Sequence, residues 1–176
     1  MKGAGPSAGS RRARPPFCRG AVLRGEAGED RPGAAGDDLA GALWKANDDE
    51  GVNAVILTGA GKSFCAGGDL KAIRERSGIG PRATPDGTRA NYRRGVHSVI
   101  KALADVEVAT IAAINGHAIG LGLDIGVLCD IRLAAASAKM ASSFVKVGII
   151  PGDGGAWILT NAIGASRAAE LVLTGD

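Results

Sequence analysis

The sequence predicts an α/β fold, and three observations carry that expectation. Apolar runs of strand length recur at residues 52–58 (VNAVILT), 108–115 (VATIAAIN) and 130–136 (DIRLAAA). Between and after them lie segments whose apolar residues repeat at helical spacing. Glycine, at 28 of 176 residues, ends the first two runs and is too aperiodic for a collagen-like chain, so it marks tight turns and close backbone approaches. Strands alternating with helices build a layered α/β domain.

Residues 1–36 are rich in Gly, Ala, Pro and Arg and show neither a helical nor a strand period. Such a segment cannot bury enough apolar surface to offset its ordering entropy. It is expected to be a disordered or misassigned leader, followed by a domain over 37–176. An organelle transit peptide shares its arginines, but Pro and Gly here oppose the amphipathic helix such a peptide forms.

Order is expected from Asp37, where DDLAGALWKAND sets Leu39, Leu43 and Ala46 on one helical face and places acids at the N-terminal end. The run at 52–58 reads as a buried strand ended by Gly59. A glycine loop, GAGKSFCAGGDL, then leads to a short helix at about 69–76, and a Gly/Pro-rich loop covers 77–88. Val96, Val99, Ile100 and Leu103 set against Arg93, Arg94 and Lys101 predict one surface helix over about 89–104. The strand at 108–115 runs through Gly116 and His117 into a helical segment near 119–128, and the strand at 130–136 follows closely. A short segment around 140–147, the loop GIIPGDGG, and two helices near 155–162 and 166–173 close the chain. Trp44 and Trp157 are expected as core anchors, His117 as a loop hydrogen-bonding residue and Cys65 as a small buried residue. Asp153, just before GGAWIL, is expected as a helix N-cap.

Bulk properties exclude several function classes. The net charge of +3 resides in the leader, where seven Lys and Arg face three Asp and Glu, so the remainder is close to −1. That distribution makes no basic face for nucleic acid. No apolar stretch reaches membrane-spanning length before a charge or a glycine interrupts it. Cys18, Cys65 and Cys129 form no CxxC pair, so neither a zinc site nor a disulfide framework is indicated; a reducing, cytoplasmic location is expected.

The chemically informative pattern is strand, glycine loop, helix, and it occurs twice. Helix N-termini carry unpaired N–H groups and partial positive charge, and glycine lets a ligand approach them. The first loop is Cys65-Ala66-Gly67-Gly68-Asp69-Leu70; the second is Asn115-Gly116-His117-Ala118-Ile119-Gly120-Leu121-Gly122-Leu123-Asp124. If they converge, their N–H groups can polarise one carbonyl, each donor lowering a barrier by about 2.7–4 kcal/mol. Rival motifs fail. Gly61-Lys62-Ser63 ends like a phosphate-binding loop, but Ile56 stands where that motif requires glycine. Gly120-Leu121-Gly122 has its third glycine at 126, one position late for a dinucleotide fingerprint. No GxSxG elbow occurs, and His97 and His117 lack a clear Ser or Cys partner for a hydrolytic triad.

At these loops the chain resembles the crotonase (enoyl-CoA hydratase/isomerase) family. NAVILTGAGKSFCAGGDLKAI (53–73) is similar to the family's first signature and ATIAAINGHAIGLGLDIGVLCDIRLAAASAKMASSFVKVGIIPGDGGAWILTNAIGASRAAELVLTGD (109–176) to its central one, the likeness extending over about 37–176. The resemblance implies a superhelix of ββα units, here truncated at both ends. It also implies a coenzyme A thioester as substrate, assembly as a homotrimer or hexamer, and no metal or cofactor beyond the coenzyme A moiety. By the same likeness the oxyanion-hole N–H groups fall at Gly68 and Leu121, and Ala66, Asp69, Leu70 and Gly120 lie against the coenzyme A thioester. The family's two hydratase carboxylates map to Asp124 and to Phe144, and Phe144, which would line the pocket, can neither accept nor donate a proton. With Asp124 as the one acid of that pair, hydration of a 2-enoyl-CoA and double-bond isomerisation both stay open. A catalytically inactive fragment, acting through binding or subunit association, is the alternative. Asp153 lies near a part of the pocket where some family members carry an extra acid.

Overall fold

The computed structural model describes residues 20–25, 34–78 and 80–176. Three successive ββα units build the domain, each contributing its first strand to one sheet and its second to another. The first unit has β2 (Ala54–Gly59), β3 (Ser63–Cys65) and α2 (Leu70–Arg74), and the second has β4 (Ala109–Ile114), β5 (His117–Ile119) and α5 (Leu121–Leu128). The third has β6 (Ile131–Ala134), β7 (Met140–Ala141), a 3-10 turn (Ser143–Val147) and α6 (Gly155–Ile163). Strand β1 (Gly20–Gly25) and helix α1 (Ala34–Asn47) precede them; α3 (Pro85–Arg94) and α4 (Val96–Asp105) join the first unit to the second, and α7 (Ala165–Thr174) follows the third. One sheet runs β1-β2-β4-β6 and the other β3-β5-β7, every neighbouring pair parallel. The ββα superhelix expected from the sequence is therefore present.

Alternation on the strands fixes which face is buried. Val55 and Leu57 of β2 turn inward, as do Thr110, Ala112 and Ile114 of β4, and Leu43, Ala46, Val99 and Leu103 of α1 and α4 pack with them. The inward hydroxyl of Thr110 is satisfied by Asp130, whose Oδ2 accepts from Thr110 N at 2.8 Å and Oγ1 at 2.7 Å. Asp130 N donates back to Thr110 Oγ1 at 3.0 Å. These bonds hold the Asp130 carboxyl below its ordinary pKa.

At the corner between the sheets, two repeats abut almost without side chains. Asn115 Oδ1 accepts from Gly59 N at 2.9 Å, and its Nδ2 donates to Gly61 O at 3.1 Å. A Cβ at Gly116 would lie 2.0 Å from Lys62 O, and one at Gly122 would lie 2.1 Å from Cys65 O. Only glycine lets α5 and β5 close on the β2–β3 corner at this distance.

The structure corrects several expectations. Residues 20–25 form a strand paired in register with β2, Gly20 opposite Ala54, inside the segment expected to lack one; residues 1–19 and 26–33 lie outside the described residues. Helix α1 begins at Ala34 rather than Asp37. The single helix expected over 89–104 is two, broken at Gly95 (φ −104, ψ −96). Trp44 and Trp157 are 41% and 68% exposed, so neither anchors the core. The short strands β3, β5 and β7 occupy segments expected as loops or left unassigned, and His117 stands on β5.

Candidate active site

The two glycine loops meet. Gly67 has φ +86, and a Cβ there would lie 2.7 Å from Ile119 O and 3.8 Å from Leu121 N, which brings the β3–α2 loop onto the start of α5. Helix α5 has no side-chain cap, its N-cap being Gly120 with φ +54 and ψ −122. Among the described residues, the N–H groups of Gly68 and Leu121 have no hydrogen-bond acceptor, as expected of a loop amide and a first helical position. Gly68, Gly120 and Leu121 line one cavity together with Ala66 and Leu70. Phe144 of the 3-10 turn, Tyr92, Val96 and Asp153 line it as well. The Phe144 ring closes on Gly120, at 3.5 Å from the position a Cβ would take.

Two site residues expected from the sequence are not in that lining. The Asp69 side chain is the N-cap of α2, its Oδ1 accepting from Lys71 N at 2.8 Å and Ala72 N at 3.1 Å. Asp124 is wholly buried, at 0% exposure, and neither carboxylate oxygen has a partner among the described residues. Beside it is a second acid. Asp153 is 3% exposed and lines the cavity; its Oδ1 accepts from Gly155 N at 3.2 Å and its Oδ2 has no partner. The N-cap position of α6 belongs to Gly154 (φ +100), so Asp153 stands one residue before the cap expected of it.

Burial pushes the Asp124 carboxyl up to about 8, reinforced by the charge of Asp153 and by a side-chain hydrogen bond to it. Two carboxylates have no proton between them, whereas a protonated Asp124 donates one to Asp153. Around the pair, His97 Nε2 lies 2.7 Å from Gly152 O, and the Tyr92 ring meets the His97 ring edge-on at a 6.0 Å centroid separation. Burial first, and the charge of Asp153 second, raise the Tyr92 phenol. Cys65, beneath Gly122, is half-buried and its thiol is likewise raised by burial.

Interlocked ββα units with a cavity edged by backbone amides define a crotonase-type protein. The family model for enoyl-CoA hydratase/isomerase matches residues 34–176, and the chain belongs to that family. It is 37% identical over 150 residues to the Mycobacterium tuberculosis protein EchA14, named a probable enoyl-CoA hydratase, covering 83% of this chain and 56% of that one. To the 1,2-epoxyphenylacetyl-CoA isomerase of Escherichia coli it is 38% identical over 138 residues, covering 78% of this chain and 51% of the other. The crystal structure of an enoyl-CoA hydratase from Bacillus anthracis superposes with a TM-score of 0.73 at 33% identity, over 88% of this chain and 59% of that one. The chain thus spans about half the length of the relatives it matches.

Proposed function

We propose that this protein acts on acyl-CoA thioesters, stabilising a thioester enolate with the backbone N–H groups of Gly68 and Leu121. The observation that carries it is the meeting of these two acceptor-free amides at one cavity, one from each glycine loop. A thioester oxygen bound there would gain negative charge as a proton leaves the adjacent carbon, and donors fixed in advance favour that charge over the neutral carbonyl. Proton transfer falls to the Asp124–Asp153 pair. A carboxyl whose pKa is driven up toward neutrality is suited to both give and take protons near pH 7.

Phe144 stands where a second carboxylate would activate water, which favours double-bond isomerisation over hydration. The name of the Escherichia coli relative, an isomerase of a CoA thioester, is consistent with that preference. Association with further copies of the chain belongs to the same proposal, supported by Ile131, Leu133, Trp157 and Leu173, which stand exposed on β6, α6 and α7. The test follows the ultraviolet absorbance of the conjugated enoyl thioester on adding purified protein to a short 3-enoyl-CoA and, separately, to a short 2-enoyl-CoA. A rise with the first identifies an isomerase and a fall with the second a hydratase. A folded protein that changes neither contradicts an enoyl-CoA activity and leaves the inactive alternative.

A further inference from the structure

We infer that Asp153, not Asp124, is the acid that exchanges protons with the substrate, and that Asp124 is a positioning residue behind it which shares a single proton with it. The inference rests on the acyl-CoA function proposed above and divides labour within the pair. Three observations assign the roles. Asp153 lines the cavity with Gly120, Leu121 and Phe144, whereas Asp124 does not and is wholly buried. One oxygen of Asp153 is held by Gly155 N at 3.2 Å, and Oδ2, itself buried, has no partner among the described residues. Finally, a Cβ at Gly155 would sit 2.2 Å from Asp124 Oδ2, so the backbone opening α6 lies directly against the Asp124 carboxyl.

Neither acid has a cation within ion-pair distance, since Lys146–Asp176 is the salt bridge found among the described residues. Two buried carboxylates that both lie against Gly155, without a cation, cannot both be ionised at modest cost, so the pair holds one proton. Burial places it on Asp124. The turn that carries Asp153 is buttressed from α3 and α4. His97 Nε2 bonds Gly152 O at 2.7 Å, and the Tyr92 ring lies 3.2 Å from where a Cβ of Gly152 would be.

The step then balances without water. Asp153 takes a proton from the carbon between the thioester and the double bond; the C–H electron pair moves onto the thioester oxygen, held by Gly68 and Leu121. Delivery of a proton from Asp153 to the far alkene carbon shifts the double bond into conjugation and restores the carboxylate, and return to the first carbon after exchange with solvent labels that carbon. Throughout, the Asp124 O–H donates to Asp153.

The test measures two quantities on the full chain with 3-hexenoyl-CoA: formation of the conjugated thioester, and deuterium uptake at the carbon next to the thioester in heavy water. Asp153→Asn is expected to lower both at least 100-fold while thioester affinity changes only a few-fold. Asp124→Asn is expected to lower them about tenfold and to remove the break near pH 8 from the rate profile of the wild type. The other titratable groups around the pair are Tyr92, His97 and Cys65, and the break is expected to survive in Tyr92→Phe and Cys65→Ser. Full activity in Asp153→Asn with loss in Asp124→Asn would overturn the assignment and leave the acyl-CoA function standing. No exchange by folded wild-type protein would instead overturn the function, and the assignment with it.

Discussion

A Cβ added to Gly155 would lie 2.2 Å from Oδ2 of Asp124, so the first residue of α6 rests on the carboxyl of the α5 acid. That contact joins the second ββα unit to the third at a wholly buried polar group. Such a distance leaves no room for a methyl group unless backbone or carboxyl moves.

Gly155→Ala is therefore expected to destabilise the protein by about 1–3 kcal/mol, the usual range for overpacking a filled interior. The penalty should shrink in an Asp124→Ala background, because the two substitutions share one contact. Urea unfolding of the four variants gives the coupling directly. Additive effects would place the clash elsewhere.

The raised pKa of Asp124 sets a slope of stability against pH. Its folded value is near 8 and its ordinary value is 3.8, so between those limits the folded chain keeps a proton that the unfolded chain has lost. The stabilisation is complete below about pH 4 and is lost as pH rises through 8. At most about 1.4 kcal/mol is lost per pH unit. Asp130 contributes in the opposite sense, its lowered pKa giving stability that is lost only in acid. Unfolding midpoints from pH 5 to 8 should fall in the wild type and flatten in Asp124→Asn. A flat wild-type curve would contradict a protonated Asp124.

Thr110→Val tests the link between the second and third units. It leaves Asp130 bonded to Thr110 N alone and deletes the hydroxyl that both donates to its carboxylate and accepts its N–H. A loss of about 1–2 kcal/mol is expected. The Asp130 carboxyl should move up toward its ordinary pKa, as carboxyl carbon chemical shifts would record.

Much of the fold was legible because its parent strands are continuous apolar runs. VNAVILT and VATIAAIN became β2 and β4, and the face of Val96, Val99 and Leu103 is buried as its spacing implied. The second sheet was not legible. Strands of two or three residues, such as β7 and β3, are too short to display a period of two, and they exist because the corners at Gly59, Gly116 and Gly122 place them side by side. Strand β1 was hidden by its flanking Gly, Pro and Arg, since its order comes from pairing with β2, whose residues lie 34 positions further along the chain. Helical periodicity continues unbroken across Gly95, where the backbone does not.

The site divides the same way. Glycine spacing pointed to the two loops, and the family likeness singled out Gly68 and Leu121 within them, and Asp124. Neither could say which face of α5 meets the cavity, and that orientation makes Asp153 the acid at the lining. An Asp before Gly-Gly has the signature of an N-cap, whereas the structure puts the cap one residue on, at Gly154 with its positive φ.

Leu121→Pro tests the central claim most directly, because proline is tolerated at the first position of a helix and removes the N–H in question, with Leu121→Ala as the control for the lost side chain, which packs against the core. With circular dichroism verifying the fold, the rate of deuterium uptake next to the thioester of 3-hexenoyl-CoA should fall about 100- to 1000-fold while thioester affinity stays within a few-fold. A rate equal to that of the wild type would contradict the account, since the enolate would then be held by something other than the amide that opens α5.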